Sequence, residues 1–142
     1  MTSSIHDNLL VSYEVRCQAR TITLRIEYRA EGKPTEFTNV IFDGVEGYRF
    51  ENDAFGNIIF DVANLPLEQF LTEYGAEMSE LYRMTGLPKW ARGLRGEGSG
   101  MMDMGSAPAI MREAGVKGFV LSSSLGLSGW VLAKQMSIIR VE

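Results

Sequence analysis

The sequence predicts an α+β fold, in which an antiparallel sheet of about five to seven strands carries one amphipathic helix on one face. Apolar and polar residues alternate with period two through the N-terminal third of the chain, which is the pattern of strands with one buried face. Apolar residues recur at spacings of three and four between residues 67 and 82, as on one face of a helix. Strand-like segments outnumber helical ones, which favours an antiparallel sheet. We expect one domain over residues 1–142.

The first two predicted strands form a hairpin. Apolar residues alternate with polar ones from Val11 to Cys17, and again from Ile22 to Tyr28 after a short polar link. This alternation is typical of an antiparallel pair with one face on the core and one in water. Cys17 continues the apolar series, so we expect its thiol to be buried and inert.

The remaining strands are predicted from short β-branched and aromatic runs separated by turn residues. Turn chemistry at Glu31–Pro34 leads into the third strand, and Gly56-Asn57 separates the next two. After the helical region a further strand is expected, and the chain ends in one long strand or two shorter ones. The runs are Phe37–Phe42, Tyr48–Glu51, Ile58–Val62, Phe119–Ser123 and Trp130–Val141.

Two helices are predicted. Pro66 suits the first position of a helix over 66–84, which Gly86 and Pro88 bring to an end. A short second helix over about 107–114 follows Ser106. The first helix should dock its apolar face onto the sheet. That face consists of Leu67, Phe70, Leu71, Tyr74, Met78, Leu81 and Tyr82.

A glycine-rich loop at 86–105 separates the two helices and has neither a strand nor a helix period. Loops of this length in compact domains are often functional. Trp90, Arg92 and Arg95 belong to residue types enriched at interface hot spots, and three methionines follow them. Two interpretations stay open: the tryptophan and methionines fold back onto the sheet, or the segment orders on contact with a partner or a second copy.

Charge is unevenly distributed along the chain. The net charge is −4, and residues 1–85 hold seven Lys and Arg against fourteen Asp and Glu. Residues 86–142 hold seven against four. The acidic first portion argues against nucleic acid as a partner and is compatible with a basic protein. There is no apolar run of membrane-spanning length and no leader-like N-terminus, and with one cysteine in the chain we expect a cytoplasmic protein without membrane contact.

Familiar catalytic and metal-binding patterns do not fit the sequence. His6 is the only histidine, which disfavours zinc. An EF-hand alignment starting at Glu51 fails because Phe55 and Val62 occupy positions that need oxygen ligands. The glycines between Gly96 and Gly100 match neither phosphate-binding motif, and Ser122–Ser124 lack the glycines of a nucleophile elbow. We predict no catalytic residue, metal or cofactor.

Several segments together resemble small bacterial proteins that include immunity proteins of polymorphic toxin systems. They are His6-Asp7 before the hairpin, VIFDGVEGYRF (Val40–Phe50), NIIFDV (Asn57–Val62) and LGLSGWVLAK (Leu125–Lys134). The resemblance implies a non-enzymatic protein that binds and blocks a cognate toxin. It does not identify which residues would bind.

The leading prediction is a cytoplasmic interaction module that neutralises a basic partner. The predicted contacts are acids on an exposed sheet edge together with a rim from the glycine-rich loop. They are Asp43, Glu46, Glu51 and Asp53 for the acids, and Trp90, Arg92 and Arg95 for the rim.

Two alternatives belong to other classes. One is a small-molecule-binding domain or enzyme whose pocket lies between sheet and helix. Its candidate residues are His6, Tyr13, Tyr48 and Arg49. The other is a structural homodimer whose sheet edges pair. A deep apolar pocket with converging polar groups would favour the first alternative over a protein-binding surface.

Overall fold

A computed structural model describes residues 8–29, 31–94 and 105–141 of the chain. It confirms the α+β class, with eight strands where five to seven are predicted. The strands are β1 (Asn8–Arg16), β2 (Thr21–Tyr28), β3 (Glu36–Asp43), β4 (Gly47–Glu51), β5 (Asn57–Leu65), β6 (Lys117–Leu125), β7 (Ser128–Ala133) and β8 (Gln135–Val141). The helices are α1 (Leu67–Thr85) and α2 (Ala107–Ala114), with a 3₁₀ helix at Lys89–Leu94.

The sheet curls so that the β3–β4 and β7–β8 connections lie side by side. All pairs are antiparallel and the strand order is β4-β7-β6-β5-β1-β2-β3-β8. Only Lys134 separates β7 from β8, yet the two strands lie near opposite ends of this order. The backbone N–H of Lys134 donates to the carbonyls of Asp43, at 3.0 Å, and Gly44, at 3.2 Å. The β3–β8 pair at one end of the strand order therefore continues through a kink into the β4–β7 pair at the other end. This two-stranded ribbon connects the two halves of the sheet, β4-β7-β6-β5 and β1-β2-β3-β8.

The main core lies between these two halves. Its members are apolar side chains that point inward from six of the strands and from the β6–β7 turn, as strand alternation requires. Phe42 and Phe119 meet edge to face with their ring centroids 5.4 Å apart. The buried members are Leu10, Ile22, Leu24, Ile26, Val40, Phe42, Ile59, Val62, Phe119, Leu121, Leu127, Val131 and Ala133.

The helices cover the outer face of β6 and β7, as predicted for the first helix. Phe70 of α1 is fully buried and meets Trp130 of β7 edge to face at 6.0 Å. Gly118 allows this approach, because a Cβ there would overlap the Phe70 ring. At the other end of α1 the buried hydroxyl of Tyr82 donates to the Glu46 carbonyl at 2.6 Å, and burial raises the pKa of this phenol.

A β-bulge in β1 overturns part of the hairpin prediction. Leu10 pairs with Ile26 and Ser12 with Arg25, so Val11 is an extra residue without a partner across the strand. Leu10 is therefore the buried residue, and Val11 is 46% exposed. The prediction that Cys17 is buried is wrong: β1 ends at Arg16, and the thiol lies exposed in the turn that follows.

Candidate functional site

The loop between β4 and β5 holds an aromatic side chain in water. Phe55 is 96% exposed, and its backbone has a φ of 60°. The left-handed region is unfavourable for a residue with a large side chain and persists only where surrounding contacts enforce it. Neither the exposed ring nor this backbone conformation stabilises the free protein. The feature is therefore a candidate for a functional role.

Asp53 enforces the conformation of the loop. One carboxylate oxygen accepts hydrogen bonds from the backbone N–H of Phe55 and from the side-chain amide of Asn57, both at 2.8 Å. The other accepts the hydroxyl of Tyr13 at 3.0 Å. The bond from Asn57 and then that from Phe55 lower the pKa of Asp53, and the bond to Asp53 raises the pKa of Tyr13.

Asn57 ties this loop to the turn between β6 and β7. Its side chain is buried, and its oxygen accepts the N–H of Ala54 at 2.9 Å and that of Leu127 at 2.8 Å. Gly126 has a φ of 93°, and a Cβ there would overlap the Asn57 side chain. The loop is thus anchored to the folded body through a residue 70 positions away in the chain.

Acid should loosen the loop through Asp53. Because the folded-state pKa of Asp53 is lowered, its stabilising effect is complete above the ordinary value of 3.8 and is lost as the pH falls through the lowered pKa. We expect wild type to lose more stability than Asp53→Asn between about pH 5 and about pH 2. Urea unfolding of both proteins across this range measures the difference, and parallel curves would contradict it.

Two tyrosines of the predicted pocket come together beside this loop. Tyr13 and Tyr48 each contact Phe50, with ring centroids 5.9 Å and 5.2 Å apart. Both phenols are partly exposed. Half-exposed tyrosines combine an apolar ring with a polar end and are enriched at interfaces. The cluster adds partly exposed aromatic rings on β1 and β4, and the bond from Tyr13 to Asp53 links it to the loop.

An apolar row crosses the outer face of the sheet next to the same loop. Leu125 pairs with Ile58, and Ile58 pairs with Leu9, so three side chains stand in register on three adjacent strands. Leu125 is 54% exposed, and Leu9 is also exposed. Phe60 and Val11 flank the row and are exposed as well. The described helices do not cover this row. Their apolar side chains pack on the sheet farther from the row, against Leu65 of β5, Val120 of β6 and Leu132 of β7.

The four predicted acids do not form one patch. Glu51 is exposed at the end of β4, just before the Asp53 loop. Asp43 and Glu46 lie at the other end of β4, beside the kink in the ribbon. The Glu46 carboxylate is 14% exposed and pairs with Arg20 at 3.3 Å. Glu51 and Asp43 are therefore the acids with a freely exposed position, while Asp53 has an internal role.

The loop residues of the predicted rim are partly described. Trp90 packs edge to face on Tyr82 with centroids 6.1 Å apart, within the apolar layer under α1. This contact matches the interpretation in which the tryptophan folds back onto the body. Arg92 is exposed. Arg95, His6 and the glycines from Gly96 to Gly100 lie outside the described residues.

A small cleft lies between α1 and the sheet, where the alternative hypothesis expects a pocket. Arg49 forms an ion pair with Glu77 at 3.1 Å across it, and Tyr74, Ser122 and Ser128 also line it. Its volume is about 270 Å³, below the range of roughly 300–1,000 Å³ typical of ligand sites. Of the predicted pocket residues that the structure describes, Arg49 lines the cleft, whereas Tyr13 and Tyr48 do not.

A larger depression of about 740 Å³ opens between the β2–β3 hairpin and the end of β8. Both of its arginines are engaged within the protein. Arg140 pairs with Glu36 at 2.5 Å, and the Arg25 guanidinium stacks 4.7 Å from the centre of the Phe37 ring. These contacts leave the depression with few groups directed toward a ligand.

The described residues include neither a metal-binding cluster nor a membrane-spanning helix. No three His, Cys, Asp or Glu side chains in the described ranges stand close enough together to hold a metal ion. None of the described helices has the length and apolar character needed to cross a bilayer.

No family model, curated protein or solved structure matches this chain.

Proposed function

We propose that this chain is a non-enzymatic protein-binding module and that its partner docks on the Phe55 surface. The Phe55 surface is a group of apolar residues in which the half-buried Ile58 joins five exposed side chains, those of Phe55, Leu9, Val11, Phe60 and Leu125. The observation that carries the proposal is the 96% exposure of Phe55 in a loop whose conformation Asp53 and Asn57 impose.

Burial of the Phe55 ring gives a partner a direct source of affinity. Removing a phenylalanine side chain from water stabilises a complex by roughly 1.5–3 kcal/mol. Since the hydrogen bonds of Asp53 already hold the loop, little conformational entropy is lost when it binds. A rigid aromatic anchor next to an apolar row is the usual arrangement at the centre of a protein interface.

The surrounding charges suit a partner with basic residues around an apolar pocket. Glu51 lies exposed before the loop, and Asp61 follows Phe60. Acids at an interface rim raise the rate and specificity of association more than the affinity. This chemistry agrees with the implied role of an immunity protein that blocks a basic toxin, with Glu51 keeping its predicted part as a contact.

The cleft at Arg49 supports a second candidate function, the binding of a small polar molecule. Polar side chains from α1, β4, β6 and β7 converge there. Its volume of about 270 Å³ admits only a fragment-sized ligand, and the Arg49 guanidinium already pairs with Glu77. The fully exposed Phe55 has no role in that function, so protein binding accounts for more of the structure.

Co-expression with the neighbouring genes tests the proposal. We expect one of their products to stop growth of a host cell when expressed alone, and to bind this chain and lose that effect when the two are expressed together. Purification of the complex at low salt and calorimetric titration give the stoichiometry. If every neighbouring product is harmless, or is toxic and does not bind this chain, the immunity role is contradicted.

A further inference from the structure

The two edges of the sheet are protected to different degrees. The edge strand β4 has five residues with two outward charges, and its Arg49 pairs with Glu77 of α1. The other edge strand, β8, has seven residues and a single charged one, Arg140, which pairs with Glu36 on the neighbouring strand. Short length, charges and prolines are the usual means of preventing edge-to-edge pairing. In the part of the chain that the structure describes, β4 has such protection and β8 has almost none.

Exposed apolar side chains lie at the middle of β8. Ile138 and Ile139 are 39% and 50% exposed, and they point to opposite faces because successive strand residues do so. Ile138 is the central residue of the seven, Gln135–Val141. An edge strand of this kind presents unpaired backbone groups with apolar side chains above and below them.

We propose that β8 pairs antiparallel with β8 of a second copy of this chain, about a two-fold axis through Ile138. Residues opposite each other in an antiparallel pair point to the same face. A two-fold axis perpendicular to the sheet leaves each side chain on the same face in both copies. The axis must therefore pass midway between the two copies of one residue, so that this residue lies opposite itself. Centring on Ile138 is the choice that pairs all seven residues.

This register is self-complementary in chemistry as well as in length. Ile138 faces the Ile138 of the second copy, and Ser137 faces Ile139. Arg140 faces Met136, so the only charge on the strand never meets its own copy, and like charges do not oppose each other across the pair. A partner of a different sequence would need to reproduce this match, whereas a second copy supplies it by symmetry.

The dimer is expected to be weak. Two strands of seven residues bury less than the roughly 1,200 Å² of a standard interface, and such contacts are generally transient. The pairing is independent of the Phe55 surface, which lies on β1, β5, β6 and the β4–β5 loop. Failure of one proposal therefore leaves the other standing.

Disulfide trapping tests both the pairing and its register. The exposed Cys17 is first replaced by serine, and single cysteines are then introduced. Opposed residues in an antiparallel pair have Cα atoms about 4.5–5.5 Å apart, within disulfide range. We expect Ile138→Cys to form a covalent dimer under mild oxidation. Met136→Cys should not, because its own copy lies about 14 Å away along the strand, four residues at roughly 3.4 Å each.

Mixing provides the matched control. Met136→Cys and Arg140→Cys proteins should form no disulfide when each is oxidised alone, but they are expected to cross-link when combined, since the two positions face each other in the proposed register. Circular dichroism confirms folding of each variant, and sedimentation equilibrium of the unmodified protein gives an independent measure of association. A purely monomeric wild type at high concentration, or equal cross-linking at positions 136 and 138, overturns the proposal.

Discussion

Replacement of Phe55 by alanine is expected to weaken partner binding at least 30-fold, equivalent to roughly 2 kcal/mol, while the free energy of unfolding stays within about 0.5 kcal/mol of wild type. The ring is 96% exposed, so its removal leaves no cavity in the free protein. Its apolar surface gains a neighbour only when a partner is present. Calorimetric titration measures the affinity, and urea unfolding measures the stability.

Met84→Ala is the matched control for this experiment. Met84 is also a large apolar side chain, 75% exposed, but it lies near the end of α1, away from the Phe55 surface. Its truncation should change neither affinity nor stability. If Phe55→Ala binds as tightly as wild type, the Phe55 surface is not the docking site. If it unfolds more easily by over about 1 kcal/mol, the ring has a structural role instead.

Local patterns predicted much of the fold. The helix at residues 67–85 could be found because its buried positions repeat at three and four residues, and that period has no strand interpretation. Gly115 ends α2 in the left-handed conformation at a φ of 75°, where glycine is favoured. These features depend on residues close together in the chain, so a single sequence contains them.

Features that depend on distant residues could not be predicted in this way. The bulge at Val11 shifts the buried positions of β1 by one residue, from Val11 to Leu10. The alternation of apolar and polar residues does not show where such an extra residue is inserted. The curling of the sheet follows from the break at Lys134, whose N–H finds acceptors at Asp43 and Gly44. The sequence predicted the strands on either side without indicating that they join opposite ends of the sheet.

The candidate site shows the same division. Sequence reasoning selected Glu51 and Asp53 for their charge, but the charge of Asp53 acts inside the protein, on Tyr13, Phe55 and Asn57. Sequence reasoning considered Phe55 only as a residue that occupies an oxygen-ligand position of an EF-hand and so excludes that motif. The available signal was the run Asp53–Asn57, in which turn-forming residues surround an aromatic residue. Its significance depended on contacts 40 and 70 residues away.

Asn57→Ala is expected to lower the free energy of unfolding by about 2–4 kcal/mol and to weaken partner binding together with it. The Asn57 oxygen is the acceptor for the N–H groups of Ala54 and Leu127. Alanine leaves both donors without this acceptor. The bond to Leu127 is buried and the bond to Ala54 is partly buried, and a buried donor left unpaired costs about 1–3 kcal/mol. Asp53 also loses the amide that donates to it, so the loop that presents Phe55 is no longer fixed.

Three comparison variants separate these effects. Gln69→Ala removes an exposed amide that donates to Glu73 and should leave stability nearly unchanged. Asn57→Asp keeps the two acceptor bonds but sets a carboxylate against Asp53, so an intermediate loss is expected. Gly126→Ala should resemble Asn57→Ala, because its Cβ occupies the space of the Asn57 side chain. If Asn57→Ala loses stability but binds its partner as wild type does, Asp53 alone is enough to hold Phe55 in place. Since Asn57 joins the β4–β5 loop to the β6–β7 turn, we instead expect stability and binding to fall together.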